Sequence, residues 1–207
     1  QRFVETPQGY IYASNLQPVR NQPNQPLTQL PSPEGIWVEV TVPYVDLVLA
    51  NPPARSPWLK ENPRPRLYFS QIMWVDQIRQ EQGQVWYHVT EKYGSYGDHF
   101  WADGAAFRPL TAQDVQPISP QVEDKLVVVR LLHQTLACYE GQQEVYFCRV
   151  STGAKFDMYG NVVDKWATPV GTHIVTRKYI SLQMSGGTTG AGYDLPGIAW
   201  TSIFATG

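Results

Sequence analysis

Charged side chains are scarce in this chain, and those present nearly cancel. Only 16% of the 207 residues are Asp, Glu, Lys or Arg, and 16 basic residues against 18 acidic ones leave a net charge of −2. Domains that bind nucleic acids usually carry a basic patch or a clearly positive net charge. The sequence therefore predicts no nucleic-acid partner.

Long apolar runs and cysteines are also few. No stretch approaches the ~18 apolar residues that a membrane-spanning helix needs, so no transmembrane segment is expected. The two cysteines, Cys138 and Cys148, are too few and too far apart for a typical metal site, and no metal is expected. The sequence does not decide whether the two cysteines form a disulfide across a hairpin, because that bond depends on a strand register that the sequence does not fix.

The first residues lack the features of a secretion signal. Gln1 to Glu5 supply neither a basic start nor an apolar segment, and position 1 is not Met. A signal peptide needs both features. We therefore expect the chain to begin partway through a longer gene product.

Aromatic residues and turn formers, in contrast, are plentiful. The chain contains 7 Trp, 12 Tyr, 16 Gly and 17 Pro. Runs of β-branched and aromatic residues predict strands, and the Gly and Pro residues between them predict turns. The clearest runs are Trp37–Val42, Val85–Thr90 and Leu126–Leu131. Because no long stretch has a helical period, the predicted fold class is all-β.

Composition divides the chain into four segments. A weak repeat relates Tyr12–Val19 to Trp101–Leu110, and both fit the last strand of a small barrel. The predicted segments are residues 1–32 (the end of a preceding barrel and a linker rich in Pro, Asn and Gln), 33–110 (a small β-barrel), 111–120 (a connector) and 121–207 (a domain of longer strands).

Four short motifs follow one another after Lys125. They are Gln134–Gly141, Val150–Gly153, Ala167–Gly171 and Tyr193–Trp200. Each has a local explanation: Pro169 and Gly171, for example, suit a tight turn between strands. A generic β-hairpin explains each motif separately but does not predict their joint order.

That order resembles the catalytic domain of L,D-transpeptidases, the YkuD-type family of bacterial enzymes that cross-link peptidoglycan. The family has a Gln-x-Leu-x-x-Tyr strand, a Val-Ser-Thr-Gly strand end, a Thr-Pro-x-Gly turn and a strand that runs to a mobile lid. The resemblance covers residues 121–207. Residues 33–110 resemble, more loosely, the Src-homology-type barrels of bacterial wall enzymes. The resemblance implies a small barrel followed by the N-terminal part of an L,D-transpeptidase β-sandwich.

The resemblance also implies a chemistry. A cysteine thiolate would transfer an acyl group between peptide stems, with backbone amides as an oxyanion hole and with no metal or organic cofactor. Met184, Tyr193 and Trp200 surround the lid segment and are implied to bind the peptide stem. The alternative for these three side chains is simple packing of the lid against the core.

The family's nucleophile is missing from the sequence. Its His-Gly and Ser-His-Gly-Cys segments have no counterpart before Gly207, so we expect a truncated or processed chain with no catalytic residue of its own and no activity. Cys138 and Cys148 are not expected to substitute, because neither has an adjacent histidine to activate its thiol. The four histidines, His88, His99, His133 and His173, are dispersed along the sequence.

Two other hypotheses stay open. A non-catalytic wall-binding or structural surface protein would also use many Trp and Tyr residues and little charge. An incomplete sandwich would instead leave an open strand edge that pairs with another chain. The enzyme and wall-binding hypotheses both predict a location outside the cell or in the envelope and peptidoglycan peptide stems as partners.

Overall fold

A computed structural model describes residues 3–13, 16, 18–61, 64–153, 159–163, 167–186 and 193–205, without the side chain of Trp58. The predicted all-β class is confirmed, since strands dominate and the described helices are short. The strands are β1 (Phe3–Thr6), β2 (Gly9–Tyr12), β3 (Ile36–Val40), β4 (Tyr44–Asp46), β5 (Val48–Leu49), β6 (Arg66–Tyr68), β7 (Ile72–Glu81), β8 (Gln84–Thr90), β9 (Phe100–Asp103), β10 (Phe107–Pro109), β11 (Lys125–Arg130), β12 (Thr135–Glu140), β13 (Gln143–Arg149), β14 (Arg177–Gly186) and β15 (Tyr193–Ile203). The helices are α1 (Pro57–Glu61) and two 3₁₀ turns at Gly104–Ala106 and Ala112–Val115.

The chain forms two compact units. The first unit contains residues 1–111 and 176–203, and the second contains residues 112–175 and 204–207. Strands β14 and β15 therefore belong to the same compact unit as the predicted barrel, whereas the sequence grouped them with β11–β13. The predicted domain boundaries stay predictions.

The main element of the first unit is a six-stranded antiparallel sheet with the order β10-β3-β7-β8-β9-β5. Strands β7 and β8 form its long hairpin, and both turn residues, Gln82 and Gly83, have positive φ angles of 51° and 81°. Two successive positive φ angles are typical of the hairpin turn whose twist matches that of the strands. Strands β4 and β6 pair separately as a second sheet.

One apolar core holds this unit together. In β3, Val38 and Val40 are buried, while Trp37 and Glu39 are only partly buried, as the two-residue period of a strand requires. The rings of Tyr87 and Phe107, both fully buried, lie 5.9 Å apart at the centre. The core residues are Val38, Val40, Val45, Leu47, Leu67, Met73, Val75, Tyr87, Val89, Ala102, Ala106 and Phe107.

Part of the predicted linker packs against this core. The backbone N–H of Asn24 donates to the Ala105 carbonyl at 2.7 Å, and the N–H of Leu27 donates to the Tyr87 hydroxyl at 2.7 Å. Burial raises the pKa of Tyr87 above its ordinary value. Leu27 and Leu30 contact the core. Proline-rich composition thus predicted a segment without strands, but it did not reveal that the segment packs.

Strands β14 and β15 form a hairpin that packs on β7. The Ser181 hydroxyl donates to the Ile72 carbonyl at 2.6 Å. Gly197 has a φ of +65°, and a Cβ at this position would lie 3.0 Å from the same carbonyl oxygen. A side chain at position 197 would therefore face both an unfavourable φ and a close backbone contact.

The second unit contains a three-stranded antiparallel meander, β11-β12-β13. Strand β11 pairs with β12 from Lys125 opposite Glu140 to Arg130 opposite Thr135. The register between β12 and β13 shifts at a bulge between Cys138 and Tyr139. Ala137 is the buried residue of β12. Most side chains of β11 and β13 are exposed.

Candidate functional site

Hydrogen bonds connect three of the four motifs within the second unit. The Gln134 side chain donates through Nε2 to Thr152 Oγ1 at 2.6 Å and accepts through Oε1 from the Thr152 N–H at 3.0 Å. The Gly153 N–H then donates to Thr168 Oγ1 at 2.9 Å. We call Gln134, Thr152, Gly153 and Thr168 the motif network. Gln134, the first residue of one motif, is thus joined to Thr152 in the second motif, and Gly153 at the end of the second motif is joined to the turn of the third.

The motif network explains why these residue types occur together. A glutamine amide both donates and accepts, so Gln134 satisfies the hydroxyl and the N–H of Thr152 at once. The backbone N–H of Val150 also donates to the Gln134 carbonyl at 2.9 Å. The side chain and the backbone of Gln134 therefore both form hydrogen bonds to the segment that follows β13.

The predicted substrate-binding residues all lie on the β14–β15 hairpin, and all three are exposed. Met184 is 42% exposed, Tyr193 45% and Trp200 48%. The register pairs Met184 with Leu195 and Gly186 with Tyr193, which places Met184 and Tyr193 at one end of the hairpin. Trp200 lies seven residues further along β15, roughly 20 Å at the usual rise per residue. The structure thus brings two of the three together, and their substrate role stays a prediction.

Part of the predicted lid lies outside the described residues. Ser185 and Gly186 end β14, and the description resumes at Tyr193. The Tyr193 hydroxyl lies 3.0 Å from the place where a Cβ on Gly186 would be. A larger residue at position 186 would displace the tyrosine ring.

A cleft of about 340 Å³ lies in the first unit, beside the predicted residue Tyr193. Its polar lining includes Glu91, Asp98, Gln183 and Asp194. The size falls within the range of sites that bind small molecules. We call it the hairpin cleft, because β14 and β15 form one of its walls.

Glu91 is the most perturbed carboxyl group of this cleft. Its Oε1 accepts from the Gly197 N–H at 2.6 Å. Burial raises the pKa of Glu91 to about 7, the hydrogen bond from Gly197 opposes that rise, and the charge of Asp194 adds to it. Near neutral pH this carboxyl group therefore exchanges between its neutral and ionised forms.

Neutral donors hold the other two carboxylates. Asp98 accepts from the backbone N–H groups of Arg55 and Ser56, at 2.8 and 2.7 Å, just before α1. Asp194 accepts from the Ser56 hydroxyl at 2.6 Å and from Gln183 Nε2. The Oε1 atom of Gln183 is buried and accepts no hydrogen bond from the described residues.

No family model matches the chain, and the searches of curated proteins and of solved structures gave no match either. The resemblance to L,D-transpeptidases therefore depends on the motif residues alone.

The two cysteines lie on the paired strands β12 and β13. Both thiols are free, and the register sets Cys148 opposite Leu136 and Cys138 opposite Tyr146. A hydrogen bond to the Cys148 thiol raises the pKa of Tyr146. Among the described residues, no hydrogen bond joins either thiol to a histidine.

The structure brings together two histidines that the sequence left dispersed. His88 Nδ1 lies 2.5 Å from Asp76 Oδ1, and the His88 ring is 5.3 Å from His99 and 5.0 Å from Trp101. The Arg79 guanidinium lies 4.2 Å from the centre of the Trp101 ring.

The described residues contain neither a metal-binding cluster nor a membrane-spanning helix. Within residues 3–205, apart from the gaps given above, no group of three or more His, Cys, Asp or Glu side chains is placed to hold a metal ion. In the same part of the chain, every helix is too short or too polar to cross a membrane.

Proposed function

We propose that this chain is part of a peptidoglycan L,D-transpeptidase and that none of its described residues is the nucleophile. The observation that carries the proposal is the motif network. Four motif residues from three separate places in the sequence form two hydrogen-bonded pairs, Gln134 with Thr152 and Gly153 with Thr168, and Thr152 and Gly153 are neighbours in the chain. A generic hairpin does not need the hydrogen-bonding side chains of Gln134, Thr152 and Thr168, and their order along the chain is the order of the family's motifs.

The proposed reaction is a two-step acyl transfer. A cysteine thiolate attacks a carbonyl carbon in a tetrapeptide stem, forms a thioester and releases D-alanine. An amine of a neighbouring stem then takes the acyl group, and the thiolate is released. Covalent catalysis of this kind divides one difficult step into two easier ones.

Reaction with a carbapenem tests this proposal. The protein isolated from its native source should gain the mass of one carbapenem on a cysteine other than Cys138 and Cys148. A matched control replaces both of those residues by serine and should leave the adduct unchanged. A native protein that forms no adduct, or one that forms it on Cys138 or Cys148, would contradict the proposal.

A second candidate function is non-catalytic binding to the cell wall. The group around Trp101 favours it: Trp86 and Trp101, both partly exposed, lie on neighbouring strands with Arg79 over each ring, at 5.9 and 4.2 Å. Aromatic side chains of this kind provide large contact areas for ligands. Binding to the wall by this group would not require the motif network.

Co-sedimentation with insoluble peptidoglycan separates the two functions. If wall binding is the function, Trp101→Ala should lower the bound fraction, while Gln134→Ala should not. The opposite pattern, with no effect of Trp101→Ala, would remove this second candidate.

A further inference from the structure

Three polar side chains form a row across one end of the meander in the second unit. The register places Arg130 of β11 opposite Thr135 of β12, and Thr135 opposite Arg149 of β13. Residues directly opposite one another on neighbouring antiparallel strands project from the same face of a sheet. The two arginines therefore flank Thr135 on one face, beside the turn that joins β11 to β12. We call Arg130, Thr135 and Arg149 the arginine row.

The arginine row has no acidic partner among the described residues. Both arginines are exposed, and Thr135 is partly buried. In this part of the chain neither guanidinium group forms an ion pair, and no hydrogen bond involves any of the three side chains. The acidic residues of the meander strands, Glu140 and Glu144, lie five positions from the row along β12 and β13, roughly 16 Å at the usual rise per residue. The strands themselves therefore do not neutralise the positive charge at this end.

The spacing of the strands lets both arginines reach one ligand. Neighbouring strands lie about 4.8 Å apart, which places the Cα atoms of Arg130 and Arg149 about 10 Å from each other. Two long side chains on one face can close on a group that lies over Thr135 between them. Without such a group the two like charges repel, because their separation is close to the screening length of about 8 Å in physiological salt. An anion between the two guanidinium groups is attracted by both.

The number of donors in the row selects a class of anion. An arginine guanidinium donates two parallel hydrogen bonds to one carboxylate or phosphate, and the threonine hydroxyl donates one more. One arginine already occupies both oxygens of a carboxylate. A terminal phosphate group has three free oxygens and nearly two negative charges at neutral pH, so both arginines and the hydroxyl can donate to it at once.

We propose that the arginine row binds a terminal phosphate group, as found in phosphate monoesters and in inorganic phosphate. The next row on the same face, Val128, Ala137 and Phe147, is apolar. Phe147 is 58% exposed, so the organic part of a monoester can pack against its ring. This binding makes and breaks no covalent bond. It goes beyond the proposed function, because it uses neither a nucleophile nor the motif network.

An NMR titration of the whole chain, at constant ionic strength and about pH 7.5, tests the proposal. The probe is phenyl phosphate, which is doubly charged at this pH, and its control is benzoate, which has the same ring with a carboxylate. We expect phenyl phosphate to shift the backbone amides of Arg130, Thr135 and Arg149 and to saturate at millimolar concentrations. Benzoate should bind at least about tenfold more weakly. Equal affinities for both probes, or no saturable shift with phenyl phosphate, would overturn the proposal.

Inorganic phosphate, titrated under the same conditions, identifies the source of the phosphate. If it binds as tightly as phenyl phosphate, the phosphate group alone is sufficient. If phenyl phosphate binds more tightly and also shifts the Phe147 amide, the ligand is an organic monoester with an apolar ester group. Both results support recognition of a terminal phosphate.

Two charge-removing variants make the test specific to the row. Arg149→Gln changes an exposed side chain without an ion pair in the described part of the chain, so it should fold. We expect it to bind phenyl phosphate about tenfold more weakly, as the loss of a charged hydrogen bond implies. Lys125→Gln removes an exposed cation from the other end of the same sheet, opposite Glu140, and should bind like the wild type. Equal affinities of the two variants would also contradict the proposal.

Discussion

The six-stranded sheet of the first unit and the meander of the second are built from similar residues, yet they bury them very differently. Val38 and Val40 in β3 are at most 1% exposed, whereas Val127 in β11 is 55% exposed. Both segments are rich in β-branched residues, so both were predicted as strands. Strand propensity thus predicts where strands form, and burial depends on which other elements cover them.

The largest expected effect contrasts the two regions directly. Phe107→Ala removes a fully buried ring from the first unit and should lower the free energy of unfolding by about 3–5 kcal/mol. Val127→Ala, in exposed β11, should change it by less than about 1 kcal/mol. Urea unfolding followed by tryptophan fluorescence measures both changes. Equal losses would show that β11 has a covered face.

Titration of Glu91 should affect the first unit alone. Its pKa is raised from 4.5 to about 7, so the folded state binds the proton more tightly than the unfolded state. The free energy of unfolding should therefore fall as the pH rises from about 4.5 through 7, by at most about 3 kcal/mol.

Glu91→Gln isolates this titration, because it cannot ionise and still offers an acceptor to Gly197. Its stability should be nearly flat over the same pH range. Hydrogen exchange of β7 amides at pH 5 and pH 8 measures the difference. If the free energy obtained from β7 exchange changes with pH no more in the wild type than in the variant, the raised pKa of Glu91 is contradicted.

Gly197 tests how closely the β14–β15 hairpin approaches β7. Gly197→Ala should cost about 2 kcal/mol, because it combines a positive φ with a Cβ only 3.0 Å from the Ile72 carbonyl oxygen. Gly141→Ala is the matched control, with a φ of +58° and open space around its Cβ. It should cost only about 1 kcal/mol. Thermal unfolding of both variants gives the comparison. Equal costs would mean that the backbone around Ile72 shifts to accommodate the added Cβ without a further loss of stability.

The smallest expected effect lies in the second unit. Gln134→Ala removes three exposed side-chain hydrogen bonds, two to Thr152 and one to the Leu131 carbonyl, and should lower stability by about 1 kcal/mol. Gln143→Ala, at the start of β13, is the control, since no side-chain hydrogen bond is described for Gln143. Hydrogen exchange at Val150 and Thr152 should accelerate in the first variant only. Unchanged exchange in Gln134→Ala would show that the motif network does not hold this segment.

Strand positions could be predicted from the sequence, because local alternation and turn residues determine them. The run Val85–Thr90 became β8, which begins one residue earlier, and the run Leu126–Leu131 became β11, which begins and ends one residue earlier. Local patterns were sufficient for both.

The hairpin cleft could not be predicted, because its parts are distant in sequence. The hydrogen bond between Ser56 and Asp194 joins residues 138 positions apart, and the bond between Glu91 and Gly197 joins residues 106 apart. No pattern within a window of neighbouring residues contains such pairs. The members of the motif network lie closer together along the sequence. The order of their motifs could be recognised in the sequence, whereas their contacts could not.

The most direct test of the functional proposal is product formation on wall fragments. The native protein, incubated with disaccharide-tetrapeptide fragments of peptidoglycan, should release D-alanine and form dimers whose mass equals two fragments less one D-alanine. Liquid chromatography with mass spectrometry detects both products. Fragments that stay monomeric, with no D-alanine released, would contradict the assignment of this chain to a peptidoglycan L,D-transpeptidase.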